Sequence, residues 1–119
     1  MNTTSTRRAI IETWAQAWSE LDEARRIELL RQAATPDCDY ADPNVELVGH
    51  TAISTYMAGF QESAPGARFV TTAFKSHHDH CLVQWNMVGG DNAILSPGVS
   101  AGTFDLEGRL LQMVGFFGA

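Results

Sequence analysis

The sequence predicts an α+β domain, one layer of helices laid over a curved, mostly antiparallel sheet. Three observations carry the prediction. Apolar residues recur at helical spacing as far as Phe60. From Arg68 onward the repeat drops to two, the period of a half-buried strand. Turn-forming clusters rich in Gly, Pro, Asp and Asn separate the alternating segments. With 119 residues, no repeat, no low-complexity stretch and no linker, residues 1–119 read as one domain.

The elements follow in order. Ile10, Ile11, Trp14, Ala17, Trp18 and Leu21 form one apolar stripe, the first helix. Asp22 caps a second, in which Ala24, Ile27, Leu30 and Ala34 face one way, and Thr35-Pro36 stops it. A short strand follows at residues 40–42, and Val45 to Val48 link it to Gly49. Ile53, Tyr56, Met57 and Phe60, at i, i+3, i+4 and i+7, make a third helix. After the Pro65-Gly66 turn, residues 68–76 and 80–88 alternate as strands around a His77-His78-Asp79 connection. Cys81, Val83, Trp85 and Met87 share one face. Gly89-Gly90-Asp91-Asn92 turns into a strand at 94–104, broken or bulged at Ser96-Pro97-Gly98, because proline cannot donate to a central ladder. A turn at 105–108 leads to the last strand, 109–117.

Composition excludes several function classes. Fourteen acidic against eight basic residues give a net charge of −6. The arginines of the first third alternate with Glu and Asp, the pattern of a solvated helix surface, so nucleic acid is not an expected partner. No apolar run approaches the roughly 20 residues of a membrane helix, and the polar start is no secretory signal. Cys38 and Cys81 have neither metal nor redox spacing and read as reduced, half-buried thiols of a cytoplasmic protein.

The chemistry centres on Tyr40-Ala41-Asp42-Pro43. Proline pushes Asp42 into extended backbone, which holds its carboxylate at the end of a strand with Tyr40 on the same side. An Asp-Pro pair also starts turns, so a general base and a turn residue are both open readings.

The order of elements, the Asp-Pro strand, the Gly49-led helix and the closing hairpin at 102–110 together resemble the nuclear transport factor 2-like superfamily. Within it, the chain is similar to the SnoaL-like group of polyketide cyclases and ketosteroid isomerase relatives. The resemblance implies a conical domain enclosing an apolar pocket, and often a homodimer through the outer sheet face. It also implies that Asp42 stands where the isomerase has its proton-shuttling aspartate. Trp14 and Ser100 fall where that family has its two oxyanion donors, and Phe117 where an indole supports the base. An indole N–H and a serine hydroxyl hydrogen-bond an enolate less strongly than a phenol and a neutral acid. Superfamily dehydratases carry a histidine on the first long strand, where this chain has Thr71, Thr72 and Ala73.

In such a pocket Asp42, Trp14 and Ser100 are the catalytic candidates. Tyr40, Trp18, Tyr56, Met57, Phe60, His78, Trp85, Phe116 and Phe117 are the substrate-binding ones. A carboxylate in apolar surroundings gains basicity because desolvation disfavours its charged form. Flat aromatic walls suit a planar or polycyclic ligand. His78 and His80 can share a strand side and His77 cannot join them; two imidazoles fall short of a metal site, so no metal is expected. His50 is expected at the exposed start of the third helix. The expected protein is a cofactor-independent isomerase, cyclase or lyase for a small hydrophobic carbonyl compound, or a non-catalytic binding or dimerising module of the same fold.

Overall fold

The change of period after residue 60 marks where helices give way to the main run of strands. The computed structural model describes residues 3–117. Helices α1 (Thr3–Ser19) and α2 (Glu23–Ala33) come first, then a hairpin of β1 (Ala34–Asp42) and β2 (Val45–Val48), then α3 (His50–Ser63). Strands β3 (Arg68–His77), β4 (His80–Val88), β5 (Ile94–Phe104) and β6 (Leu110–Phe117) complete the chain. The sheet order is β2-β1-β6-β5-β4-β3, parallel between β1 and β6 and antiparallel elsewhere. Register shifts between Thr71 and Ala73, Met87 and Val88, and Thr103 and Phe104 add local twist, and the sheet curves around the helices.

Polar side chains fix how the helices sit. Asp22 caps α2 by accepting from the Arg25 amide at 2.9 Å. Arg26 is buried and donates to Ser54 Oγ and to the Glu20 carbonyl, both at 2.8 Å, locking α2 to α3. Gln61 donates to the carbonyls of Trp18 and Ala67, which ties the end of α3 to α1 and to the entry of β3. Arg7 donates to the His78 carbonyl and to Asp79 Oδ1 and lies 4.8 Å from the Phe104 ring centroid, pinning α1 to the β3–β4 turn. Gly49 stands at φ +92 before α3 and donates to the Cys38 carbonyl, a backbone conformation that favours glycine.

Several sequence expectations shift. The Asp42 strand is nine residues long, because the β1–β6 register breaks between Ala34 and Asp39 and gives Pro36 a place free of ladder bonding. Val45–Val48 is a paired strand, since Pro43-Asn44 turns the chain back onto β1. Leu21 lies beyond α1 and is exposed. The inner face of α2 is Arg26, Leu30 and Ala33; Ala24 is exposed, and Ala34 is extended backbone after the helix. His50 is half-buried, its Nε2 against the Ala34 carbonyl at 3.0 Å. Strand β5 is bulged as expected, at Leu95 beside Ser96, but not broken: it continues through Pro97, which pairs with Asn86 of β4 and lies one residue beyond the last described β5–β6 pair.

Candidate functional site

Strand alternation builds the inner wall in rows. Tyr40, Met113, Gly102 and Cys81 form one cross-strand row; Gly115, Ser100 and Val83 form the next; Phe117, Gly98 and Trp85 form the third. Two glycines hollow these rows. A Cβ on Gly98 would fall 2.1 Å from the Trp85 ring, so the glycine is what lets that indole lie across β5. A Cβ on Gly115 would meet Ser100 Oγ and Tyr40 Oη, each at 3.6 Å, and Asp42 Cβ at 3.7 Å. Gly115 therefore leaves an open nook between three polar side chains.

Over this wall, α1 and α3 close a cavity of about 800 Å³, of ordinary size for a small-molecule site. Edge-on and tilted ring contacts line it. Trp18 is the hub, within 5.4 to 6.5 Å of Trp14, Tyr40, Tyr56, Phe60 and Phe69. Phe69 in turn stacks on Phe60 and meets Trp85 edge-on.

Asp42 sits at the polar end of the cavity, and its two oxygens do different work. Oδ2 accepts from the Tyr40 hydroxyl at 2.7 Å and from the Tyr56 hydroxyl at 2.9 Å. Oδ1 accepts from the Asn44 backbone amide at 2.8 Å, the bond of an Asx turn. The turn role and the cavity role thus coexist on one side chain. Burial, then the hydrogen bond to Asp42 and its charge, push the Tyr40 phenol above its ordinary range. Tyr56 is pushed the same way, burial again first, with the Asn44 side chain partly offsetting. Both phenols are protonated at neutral pH and donate to the carboxylate. Opposite them, Trp85 Nε1 donates to Ser100 Oγ at 3.0 Å, so the serine proton remains free to donate into the cavity.

Of the candidates, Asp42, Trp14, Ser100, Tyr40, Trp18, Tyr56, Phe60, Trp85 and Phe117 line one cavity. Three lie elsewhere. Met57 shares the α3 face of Ile53 and Gln61, one helical step from Tyr56, and is fully buried in the core. Phe116 alternates to the outer sheet face, where it is exposed. His78 stands at φ 52 in the β3–β4 turn, exposed, its carbonyl held by Arg7. His77 and His80 are cross-strand partners in that hairpin, not His78 and His80.

Both cysteines are buried more deeply than expected. Burial, with Asp39 and Asp37 adding to it, pushes the Cys38 thiol up to about 12; burial pushes Cys81 up to about 11. Neither is a nucleophile at neutral pH. The sequence reading missed Phe69, Met87, Met113 and Gly115 among the lining residues. Alternation on the third and fourth strands could have flagged Phe69 and Met87. A glycine carries no such signal.

Residues 8–113 match the model of the SnoaL-like domain. No curated protein matches the chain in sequence. Among solved structures, a candidate isomerase of the SnoaL-like family from Agrobacterium tumefaciens C58 is 27% identical, with a TM-score of 0.88 over 97% of this chain and 99% of that one. A candidate SnoaL-like polyketide cyclase from Jannaschia sp. CCS1 is 18% identical, with a TM-score of 0.73 over 98% of this chain and 88% of that one. A protein with a ketosteroid isomerase-like fold from Catenulispora acidiphila, in complex with trimethylamine, is 17% identical, with a TM-score of 0.73 over 89% and 82%. These matches are to small helix-and-sheet domains, and the family match spans nearly all of the elements that enclose the cavity. The chain belongs to the SnoaL-like domain family.

Proposed function

We propose that this protein is a cofactor-independent isomerase, cyclase or lyase that moves a proton next to a carbonyl group of a small apolar or polycyclic substrate. The observation that carries the reading is Asp42: a carboxylate on the cavity wall, held by two phenols of the same cavity. Asp42 takes the proton from the carbon beside the carbonyl. The Ser100 hydroxyl, whose oxygen is oriented by Trp85, donates to the oxygen that becomes negative, and Trp14 bounds the same space. A carboxylate oxygen has two lone pairs, and both phenols occupy those of Oδ2. Proton uptake at Oδ2 therefore requires one hydroxyl proton to turn away from it, towards the substrate oxygen. Half-buried Tyr56 fits that part better than buried Tyr40.

The test needs no known substrate. Cyclic and polycyclic ketones are incubated with the protein in D₂O, and deuterium entering the α-carbon is followed by proton NMR. Enzyme-dependent exchange on any member supports the reading; exchange no faster than buffer across the panel refutes it.

One observation favours a second reading, a non-catalytic ligand-binding module. All three hydrogen bonds to Asp42 are satisfied without a ligand, one of them by the Asn44 backbone. The Catenulispora neighbour's complex with trimethylamine supports ligand capture by this fold as a working alternative.

The chain is further read as one domain over residues 1–119, cytoplasmic, and paired as a homodimer. Val70, Leu82, Leu111 and Phe116 leave an apolar outer sheet face exposed, which supports pairing there. No described helix is long and apolar enough to cross a membrane.

A further inference from the structure

The charge inventory of the cavity is lopsided. Among the described residues, Asp42 is the single charged one that lines it, and no Lys, Arg or His does. Eight of the other lining residues are aromatic. An anionic ligand would lose its hydration against apolar walls and meet only a carboxylate of its own sign. A cation would meet the opposite charge and the negative faces of several rings.

Hydrogen-bond polarity points the same way. The hydroxyl protons of Tyr40 and Tyr56 are both committed to Asp42 Oδ2, at 2.7 and 2.9 Å. The two phenol oxygens, their protons spent on Asp42, therefore turn lone pairs rather than donors towards the space in front of them, beside the charge of the carboxylate. An ammonium group brings three donors and no acceptor, the complement of such a cluster. The nook left by Gly115, bounded by Ser100 Oγ, Tyr40 Oη and Asp42 Cβ, gives room for a group about the size of one methyl or ammonium. The net charge of −6 also attracts cations from a distance.

We propose that the cavity is a binding site for apolar amines in their protonated form. Asp42 serves as counter-ion, with Tyr40 and Tyr56 as flanking acceptors, and the hydrocarbon body lies against Trp18, Phe60 and Phe69. This goes beyond proton abstraction beside a carbonyl and needs no turnover, only the charge and hydrogen-bond polarity of the cavity, so either can fail without the other. An amine held at Asp42 would block the base and act as a competitor of any carbonyl substrate.

An isosteric series isolates the charge: 1-adamantanemethylamine, 1-adamantanemethanol and 1-adamantanecarboxylate share one apolar body. All three tryptophans of the chain, Trp14, Trp18 and Trp85, line the cavity, so intrinsic fluorescence reports occupancy, and calorimetry gives the affinities. The amine should bind roughly tenfold or more tighter than the alcohol, the order expected for a desolvated cation on aromatic faces beside a carboxylate. The carboxylate should bind more weakly than the alcohol. Asp42→Asn should abolish the amine's advantage over the alcohol, so that the ratio of the two affinities falls to about one. Tyr56→Phe, which keeps the carboxylate, serves as the second variant: it should narrow the amine's advantage over the alcohol a few-fold without abolishing it. An amine that fails to bind, that binds no tighter than the alcohol, or that keeps its preference in both variants overturns the proposal.

Discussion

Replacing Gly98 by alanine isolates the device that positions Ser100. The added Cβ would lie 2.1, 2.2 and 2.6 Å from three carbons of the Trp85 ring. Carbon atoms sit comfortably at about 3.5 Å, so the indole must retreat by about 1.4 Å. That movement takes Nε1 out of reach of Ser100 Oγ, now 3.0 Å away, and disturbs the edge contact with Phe69 at 4.9 Å between centroids. Overpacking of this kind costs about 1–3 kcal/mol and the lost hydrogen bond about 1 more, so Gly98→Ala should destabilise by about 2–4 kcal/mol. Because the clash is with one side chain, the cost should vanish once that side chain is gone. Urea unfolding of the wild type, Gly98→Ala, Trp85→Val and the double variant gives the coupling directly. In the Trp85→Val background Gly98→Ala should be neutral or slightly stabilising, since alanine restricts the unfolded chain more than glycine does. An equal cost in both backgrounds, or a cost under about 0.5 kcal/mol in the wild type, would show that the indole does not need the glycine.

The remaining predictions concern the carboxylate, the thiols and the outer sheet face. Tyr40→Phe leaves a hydrogen bond to a charged group unmade in a buried place and should cost about 1–3 kcal/mol in chemical denaturation. Tyr56→Phe, at a half-buried position, should cost less; the reverse order would contradict the assigned burial. Burial lifts the Cys38 and Cys81 thiols from the ordinary 9.0 to about 12 and about 11. As pH rises past about 9 the unfolded chain loses these protons first, so stability is full below that pH and falls as pH climbs towards 11 and 12. Unfolding free energy that is flat across this window would refute the burial argument. Sedimentation should give twice the 13.0 kDa chain mass, and Leu111→Asp with Phe116→Asp should halve it; a monomeric wild type ends that proposal.

Much of the architecture was legible because each element carried its own period. Ile53 and Phe60, or Val83 and Trp85, report a helix and a strand without any tertiary knowledge. The parallel contact of β1 with β6 was not legible, because nothing local in Ala34–Asp42 records a partner some seventy residues away. Pro36 does end α2 as read, and β1 runs past it because the β1–β6 register breaks there; the bulge read at Ser96-Pro97-Gly98 falls one step away at Leu95, and β5 continues through Pro97 beyond its last described pair with β6. In the site, residues whose side chains follow a clear period were found, as Tyr40 and Asp42 were. Phe116 and Met57 were assigned to the cavity from residue type alone, and a single step of alternation or of helix rotation turned them away. The phenol pair on Asp42 could not be read, since Tyr40 and Tyr56 converge only when α3 folds back over β1. The sequence did place the carboxylate; only the fold names its partners.

Asp42→Asn, assayed by α-deuterium incorporation on the best ketone of the panel, tests the central claim most directly. Asparagine keeps the size of the side chain and an oxygen for the Asn44 amide, but cannot take up a proton. A positioned general base contributes roughly 10²–10⁴-fold, so exchange should fall by at least about 10² while the far-UV circular dichroism stays unchanged. Exchange at the wild-type rate in a folded Asp42→Asn protein would contradict the account and leave the cavity as a binding site alone.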